Sequence, residues 1–343
     1  MGGMGYELRD KRVVIAGGAS FISFHLSQAL LERGVRELVL VDNLESGKEE
    51  NVKELLRDKR VRFEKVDLRD GGKAREVLRG EVVFHMAAVH GGRGFIGWHD
   101  AECVDNFLID RNVVMASLSN GVEQFFFASS GCVYPLRLQR QGVYPLREED
   151  LDSDFNPDGV YGMAKLAAEV LLALKTEKGK KMRVAIGRLF TVYGERALEN
   201  HAVMGLIAKA FVGMDPYVIW GKGNQVRNWT YVKDIVAGIL TVVERGSDWE
   251  VVNIGSEEQT PIREAVELIF ELSGFRPKKV VFDEEKPVGP VARVADISLM
   301  KEKFGWQPKW SFREGLERTL RWYWQTKDRD YVRANLQKLL TER

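Results

Sequence analysis

Tyr161 and Lys165 are residues whose types and spacing suggest acid–base chemistry. Four residues apart on a predicted helix, they lie on the same face. An ammonium beside a phenol favours the phenolate, lowers the pKa of the tyrosine and makes it a usable base. Such a pair also arises often by chance on a solvated helix. Ser130, about thirty residues earlier at the end of an apolar segment, makes the combination much more specific.

Cys132 follows Ser130 in the segment 130–135, directly after three phenylalanines at 125–127. Consecutive aromatic residues predict a strand that is covered on both faces, and the small polar residues after them end it where an open parallel sheet binds its ligands. The alternative is a plain strand end with a small buried cysteine.

A glycine-rich turn at residues 17–26 follows the first predicted strand and opens a helix. This is the position of a dinucleotide-binding loop, whose backbone N–H groups and helix N-terminus bind a pyrophosphate. Asp42 ends the second strand, where a carboxylate bonds a ribose 2′-hydroxyl and repels a 2′-phosphate, which favours NAD over NADP. Asp67 ends the third strand, on the adenine side. The alternative is a tight turn with solvated aspartates.

The elements that must position these groups are short apolar segments that alternate with helical ones. This alternation predicts right-handed βαβ crossovers and an α/β fold with a Rossmann-like, doubly wound parallel sheet. The strands are predicted at 12–16, 37–41, 61–66, 82–86, 124–128 and 183–190. We assign residues 1–190 to an NAD-binding domain and 191–343 mainly to a smaller substrate-binding domain, interleaved with the first, that caps the strand ends.

The composition limits the partners. With 51 basic and 50 acidic residues, the chain has no basic stripe for nucleic acid. Cys103 and Cys132 provide neither a disulfide framework nor the spacing of a metal site, which fits a reducing cytosol. The first residues lack the apolar core of a signal peptide, and no segment approaches the roughly 20 apolar residues of a membrane span. We therefore expect a cytoplasmic protein without metal, nucleic-acid or membrane partners.

These segments together resemble the extended short-chain dehydrogenase/reductase family, specifically its NAD-dependent sugar-nucleotide epimerases and dehydratases. The family loop has glycine at the positions of Gly17, Ser20 and Ser23, so two of its three glycines are serine here. An added side chain at Ser20 is expected to alter the approach to the pyrophosphate. The resemblance implies NAD as cofactor, with predicted contacts from Gly17, Ser20, Phe21, Ile22, Asp42, Asn43, Asp67, Leu68, Ala87, Tyr161 and Lys165.

The resemblance also implies roles for the residues of the site. Tyr161 removes and returns the proton of the sugar 4-hydroxyl, Ser130 bonds the same oxygen, and Lys165 holds the nicotinamide ribose as well. Arg227 and Arg293 correspond to arginines that bind the diphosphate of the substrate, for which a guanidinium is well suited. Surface ion pairs are the alternative for these two arginines.

The finer resemblance is to the GDP-mannose 3,5-epimerases. Segment 89–96, with Gly92 and Arg93, resembles their glycine-rich substrate loop, and segment 130–135 resembles the run around their catalytic cysteine. Cys132 therefore aligns with that cysteine. His201 aligns with their catalytic lysine and with the catalytic histidine of GDP-fucose synthases; taken alone, it is a surface residue at a helix start. The resemblance implies an acid/base pair whose order is not assigned.

The sequence thus predicts an epimerase that oxidises C4 of a nucleotide sugar transiently with bound NAD and then inverts C3, C5 or both. A C4 carbonyl acidifies the neighbouring C–H bonds, and inversion needs one acid/base group on each face of the ring. The alternatives are a UDP-sugar 4-epimerase, which has no use for Cys132 or His201; a 4,6-dehydratase, which carries Asp and Glu in place of Gly131 and Cys132; and a non-catalytic nucleotide-binding sensor. A homodimer is expected from the resemblance and the frequency of twofold symmetry.

Overall fold

The computed structural model describes residues 5–139, 142–151 and 155–343. The elements of the first half are β1 (Arg12–Ala16), α1 (Phe21–Glu32), β2 (Glu37–Asp42), α2 (Glu49–Leu55), β3 (Val61–Lys65), α3 (Gly71–Val77), β4 (Val82–His85), α4 (Arg93–His99), α5 (Asp105–Ser119), β5 (Gln124–Ser130), β6 (Pro145–Leu146), α6 (Gly159–Lys175) and β7 (Arg183–Leu189). The elements of the second half are β8 (Val192–Tyr193), α7 (Ala202–Phe211), β9 (Tyr217–Trp220), β10 (Val226–Arg227), β11 (Thr230–Tyr231), α8 (Val232–Arg245), β12 (Trp249–Ile254), β13 (Thr260–Pro261), α9 (Ile262–Ser273), β14 (Val280–Asp283), β15 (Ala292–Ala295), α10 (Ser298–Phe304), α11 (Phe312–Thr326) and α12 (Arg329–Thr341).

The central sheet has seven parallel strands in the order β3-β2-β1-β4-β5-β7-β12. The strand order reverses between β1 and β4, which opens a crevice at the carboxyl ends of these strands. The predicted α/β class and doubly wound parallel sheet are confirmed. Each of the six predicted strands is present, and β5 extends two residues beyond the predicted end, to Ser130.

Successive residues of a strand contribute to different hydrophobic clusters because side chains alternate between the two faces of a sheet. Val13 of β1 belongs to one cluster and Val14 to the other. In β5, Phe126 belongs to the first cluster, whereas Phe125 and Phe127 belong to the second. All three phenylalanines are fully buried, as predicted for a strand covered on both sides.

The second half of the chain both completes the central sheet and builds a separate one. The strand β12 pairs with β7 at the edge of the central sheet. A smaller sheet has the order β13-β10-β15-β6, in which β6 comes from the first half. Parallel pairing of β10 with β15 sets Arg227 opposite Arg293. The domain boundary at residue 190 remains a prediction. Among the residues described, no helix has the length and apolar character needed to cross a membrane.

Candidate active site

A cavity of about 380 Å³ lies at the carboxyl ends of the central strands, below the second half of the chain. Every predicted catalytic and substrate-binding residue contributes to its wall. These residues are Gly92, Arg93, Ser130, Cys132, Tyr161, Lys165, His201, Arg227 and Arg293.

A second cavity, of about 80 Å³, adjoins the first, since Ser20, Ser46, Met86 and Ala88 line both. The predicted cofactor residues are distributed over the two cavities. Phe21 and Ile22 line the large cavity with Tyr161 and Lys165. Gly17, Asp42, Asn43, Asp67, Leu68 and Ala87 line the small one. Because they share lining residues, the two cavities together extend past the ends of β1 and β4, as the binding of an extended dinucleotide requires.

The turn after β1 packs tightly against the backbone that follows β4. Gly17 has a φ of 82°, and a Cβ atom at this position would come within 2.6 Å of the Ala87 backbone nitrogen, so only glycine fits. The hydroxyl of Ser20 donates to that of Ser23 at 2.9 Å, so the two serines that replace glycines bond to each other. Ser20 is the N-cap of α1 but makes no side-chain capping bond. The first N–H groups of this helix are thus left for an anion.

Asp42 is held firmly at the end of β2. Its carboxylate accepts hydrogen bonds from the backbone N–H groups of Ala19 at 3.0 Å and Leu44 at 2.8 Å. Burial raises the pKa of this carboxyl, and the two backbone hydrogen bonds act against burial. The side chain ties the glycine-rich turn to the second strand, and it lines the small cavity where a ribose hydroxyl is expected.

Backbone contacts bring Cys132 and Tyr161 together. Ser130 Oγ accepts a hydrogen bond from the Cys132 N–H at 3.1 Å, which fixes the turn after β5. The Cys132 carbonyl accepts from the Asp158 N–H at 2.9 Å. Gly162 lies against this same carbonyl, where any side chain would collide with it. The start of α6 therefore packs directly on the strand end, and Tyr161 and Cys132, each 6% exposed, line one cavity.

The expected lowering of the Tyr161 pKa is wrong for this structure. Burial raises the pKa of Tyr161 well above 10, Cys132 and Asp110 raise it further, and the hydrogen bond with Ser130 lowers it. The ammonium of Lys165 lies 5.9 Å from the centroid of the phenol ring but only 3.6 Å from the Asp110 carboxylate. That carboxylate also lies 2.9 Å from Nε2 of the fully buried His85. The ammonium of Lys165 is therefore paired with Asp110, a carboxylate that the sequence interpretation missed, rather than with the phenol of Tyr161.

Three arginines of the cavity wall lie near one another and near the carboxylate of Asp158, which two of them contact. Asp158 lies 2.6 Å from both Arg93 and Arg293. Arg293 also donates to the Cys132 sulfur at 2.9 Å and to Gln139 at 2.7 Å. The third arginine, Arg227, is buried, and burial together with the charges of Arg293 and Arg93 lowers its pKa to about 9.

Asp158 is the N-cap residue of α6, and aspartate is a residue type that often caps a helix with its side chain. In the structure its side chain makes no capping bond, and the Asp100 carboxylate accepts from the Val160 N–H at 3.1 Å instead. Asp158 is thereby free to pair with the arginines. The three guanidinium charges exceed its one negative charge, which favours an anion in this part of the cavity.

His201 is the N-cap residue of α7 and lines the cavity, where burial lowers its pKa to about 4. Its ring meets that of His90 edge to face, with 5.6 Å between centroids. His90 in turn stacks on Tyr161 at 4.3 Å. The sequence interpretation did not single out His90, although it follows β4 at the ligand-binding edge of the sheet and precedes a pair of glycines.

The geometry agrees with comparisons to known proteins. A model of the NAD dependent epimerase/dehydratase family matches residues 13–255, and the chain belongs to this family. GDP-mannose 3,5-epimerase of Arabidopsis thaliana is 31% identical over 319 residues, which are 91% of this chain and 81% of that protein.

Two solved structures extend the comparison. UDP-glucose 4-epimerase of Thermotoga maritima, solved with UDP-glucose, has a TM-score of 0.80 and 28% identity, and the match covers 92% of this chain and 99% of that one. UDP-glucuronic acid 4-epimerase of Bacillus cereus, solved with UDP-glucuronic acid and NAD, has a TM-score of 0.80 and 26% identity, covering 92% and 100%. The predicted family and fold are thus confirmed, and NAD is confirmed as the cofactor of the family.

Proposed function

We propose that this protein is a nucleotide-sugar epimerase that oxidises C4 of the sugar transiently and inverts C3, C5 or both, with GDP-mannose as the first candidate substrate. The observation that carries the proposal is that one cavity contains both Cys132 and His201 beside Ser130, Tyr161 and Lys165. A 4-epimerase needs only the last three residues. The 31% identity to the Arabidopsis GDP-mannose 3,5-epimerase supports the same choice.

The residues around the glycine-rich turn fit NAD. The uncapped start of α1 would hold the pyrophosphate, and Asp42 would bond the adenosine ribose. NAD, when bound, supplies an acceptor and later a donor for the hydrogen on C4. Ser130 and Tyr161 hold the 4-hydroxyl, and Tyr161 takes its proton. Because burial raises the pKa of Tyr161, this transfer needs a positive charge near the phenol, so the ammonium of Lys165, which lies 5.9 Å from the ring centroid and is paired with Asp110, would have to approach the phenol for this step.

Cys132 and His201 act on the carbons next to the new ketone. His201 enters the reaction as a neutral imidazole, since its pKa is about 4, and so is able to accept a proton. Cys132 receives the hydrogen bond of Arg293 on its sulfur, which orients the thiol group in the cavity. One group removes a proton from a ring carbon and the other returns a proton to the opposite face.

The arginine cluster is the proposed site of the substrate diphosphate. Arg93, Arg227 and Arg293 carry three positive charges against the single negative charge of Asp158. The excess of two charges matches a diphosphate. Bound phosphate oxygens also relieve the mutual repulsion that lowers the Arg227 pKa.

Deuterium incorporation tests the proposal. Protein incubated with GDP-mannose in D₂O is expected to place deuterium at C3, C5 or both, detected by NMR. Cys132→Ala and His201→Ala should each stop inversion. The variant that keeps the proton-removing group should still exchange the ring hydrogen for deuterium on one face of the sugar. The variant that retains this exchange therefore identifies which residue removes the proton and which returns it. Cys103→Ala is the matched control, because Cys103 is also a buried free thiol but does not line the cavity.

The alternative chemistries give different results in the same experiment. In a 4-epimerase the hydrogen on C4 leaves and returns without meeting water, so the product carries no deuterium on the ring and Cys132→Ala remains active. That outcome, with GDP-mannose or with UDP-glucose, would contradict the proposed function.

We also propose that two copies pair through α5 and α6, which pack against each other in the monomer. Both helices carry large apolar side chains that are partly or mostly exposed. These residues are Phe107, Leu108 and Met115 on α5 and Met163, Val170 and Leu174 on α6. On α5 the intervals between them are one, seven and eight residues, and on α6 they are four, seven and eleven, which places each set on one side of its helix. A second copy that offers the same face would bury both sets.

A further inference from the structure

A chain of ion pairs runs along the small cavity from the end of α12 to the end of β3. Arg343, which follows α12, pairs with Glu45, and Glu45 pairs with Arg69 at 3.1 Å. Arg69 in turn lies 2.6 Å from Asp67, which follows β3. All four residues line the small cavity, and we call them the strap. The strap joins the last helix of the second half to the first half at the cavity where the adenosine ribose is expected.

The strap lies on the solvent side of this cavity. The side chains of Glu45, Asp67 and Arg69 are 34% to 41% exposed. Asp42 and Leu68, which line the same cavity, are buried. The strap is therefore a cover of the cavity rather than a part of its floor.

The α12 end of the strap is anchored on α4. The carbonyl of Leu340 lies against Gly94, where any side chain would collide with it. The guanidinium of Arg343 lies over the ring of Phe95, 5.2 Å from its centroid. Leu340 lines the large cavity and Arg343 the small one, so the segment 340–343 borders both. With this end fixed, the contact between Arg343 and Glu45 is the link whose breaking would separate the two sides of the strap.

The strength of this link suits a cover that opens. An ion pair that is partly exposed shifts an equilibrium by no more than about fivefold, which is enough to delay a ligand but not to exclude it. In the proposed function, the hydrogen taken from C4 returns to the same carbon. A reduced cofactor that escaped before this return would leave the sugar as a ketone. Slow release of the cofactor therefore serves this reaction.

We propose, on the basis of the function proposed above, that the strap retains the dinucleotide. The link between Arg343 and Glu45 breaks each time the cofactor enters or leaves, and it closes over the adenosine part in between. Arg343 and Glu45 are thus residues that control the exchange of the cofactor, not the chemistry on the sugar.

Stopped-flow fluorescence of NADH tests the proposal in the absence of any sugar. Release is followed after NADH-loaded protein is mixed with excess NAD, and association after NADH is mixed with protein freed of nucleotide. Arg343→Ala removes an ion pair and a cation–π contact, and it is expected to speed both steps about three- to tenfold. Because both rates rise together, the dissociation constant should change by less than about twofold.

Two further variants examine the link itself. Glu45→Ala breaks it from the other side and should also speed both steps, and the double variant should be no faster than the faster single variant, since the two side chains act through one contact. Arg333→Ala is the matched control, because Arg333 also lies on α12 and pairs with a carboxylate, that of Asp330, but lines neither cavity. Its rates should equal those of the wild type.

The outcomes separate the two proposals. Unchanged rates in Arg343→Ala and Glu45→Ala overturn the strap. Faster release with unchanged association overturns it as well, because Arg343 would then bind the cofactor directly instead of covering it. Neither result affects the epimerase proposal, which the deuterium experiment decides. The midpoint of thermal unfolding checks each variant, and where one of the two single variants does not fold, the other tests the same link.

Discussion

Replacing Asp158 by asparagine is expected to destabilise the free protein and at the same time to strengthen the binding of a diphosphate. Among the residues that the structure describes, Asp158 is the carboxylate that pairs with both Arg93 and Arg293, at 2.6 Å from each. Its loss leaves the two guanidinium groups without a negatively charged partner until an anion arrives, although Arg293 keeps its bonds to Cys132 and Gln139. The two effects have opposite signs, which an unspecific defect in folding does not produce.

The size of the first effect follows from the Asp158 pKa. Burial raises this pKa, but the charges of Arg293 and Arg93 outweigh burial and bring it from 3.8 down to about 2. At about 1.4 kcal/mol for each pKa unit, the lowering corresponds to about 2 kcal/mol of stability, present above about pH 4 and lost as the pH falls towards 2. Breaking a buried pair costs about 3–5 kcal/mol, so a loss of about 2–5 kcal/mol is expected near pH 7.

The second effect is electrostatic as well. A unit negative charge roughly 8 Å from a phosphate opposes its binding by about 2 kcal/mol at an effective dielectric constant of about 20. Removal of that charge should lower the dissociation constant for GDP by about tenfold or more. Urea denaturation without nucleotide measures the first effect, and isothermal titration calorimetry with GDP measures the second.

Asp58→Asn is the matched control for both measurements. The Asp58 pKa is also about 2, because of its hydrogen bond with Arg60, but this pair lies on the surface with the carboxylate 32% exposed and does not line either cavity. Solvent screening limits its contribution to at most about 1 kcal/mol, and GDP affinity should not change. Weaker GDP binding by Asp158→Asn would refute the reasoning, since Asp158 would then orient the arginines for the phosphates rather than compete with them.

Three further outcomes are expected. Tyr161→Phe should slow C4 oxidation by about 10²- to 10⁴-fold in single turnovers with unchanged GDP affinity by calorimetry, and near-normal oxidation would remove Tyr161 from the proposed mechanism. Because burial lowers the His201 pKa to about 4, the rate of deuterium exchange should stay level from pH 7 to 5 and fall only as the pH approaches 4; a decline centred near 6.5 would contradict this. Leu174→Glu, on the exposed face of α6, should give a monomer by light scattering, whereas Leu56→Glu, also exposed but after α2, should leave the dimer intact; an unchanged dimer with Leu174→Glu would place the interface elsewhere.

The strands and the strand-end residues were predictable because their signals are local. The phenylalanines of 125–127 and the polar residues after them define both β5 and its end, and the spacing of Tyr161 and Lys165 requires only a helix. The meeting of Arg227 with Arg293 depends on the pairing of β10 with β15, which short-range patterns do not encode. The resemblance supplied these two arginines, but not the contact of Arg293 with Cys132.

The errors and omissions concern charges that meet through tertiary packing. Lys165 was expected to act on Tyr161 and on the nicotinamide ribose, but α5 brings Asp110 within 3.6 Å of its ammonium from 55 residues earlier in the chain. Asp158 is a typical N-cap in sequence, and only the presence of Asp100 at the same helix start explains why its side chain turns to the arginines. The Tyr161 pKa was predicted in the wrong direction because burial, the largest cause, is not visible in residue spacing.

The return of β12 to the central sheet has a consequence for the synthesis of the chain. Until residue 254 has left the ribosome, β7 is an edge strand with unpaired backbone groups along its whole length, and the nascent sheet lacks its last strand. The cavity-lining residues from His201 to Arg227 lie between these two strands in sequence. The central sheet therefore receives its last strand only after most of the second half of the chain has been synthesised. We expect the two halves to fold together, as one cooperative unit, during translation. A gene fragment that ends near residue 190 is consequently expected to yield an aggregation-prone product rather than an isolated nucleotide-binding module.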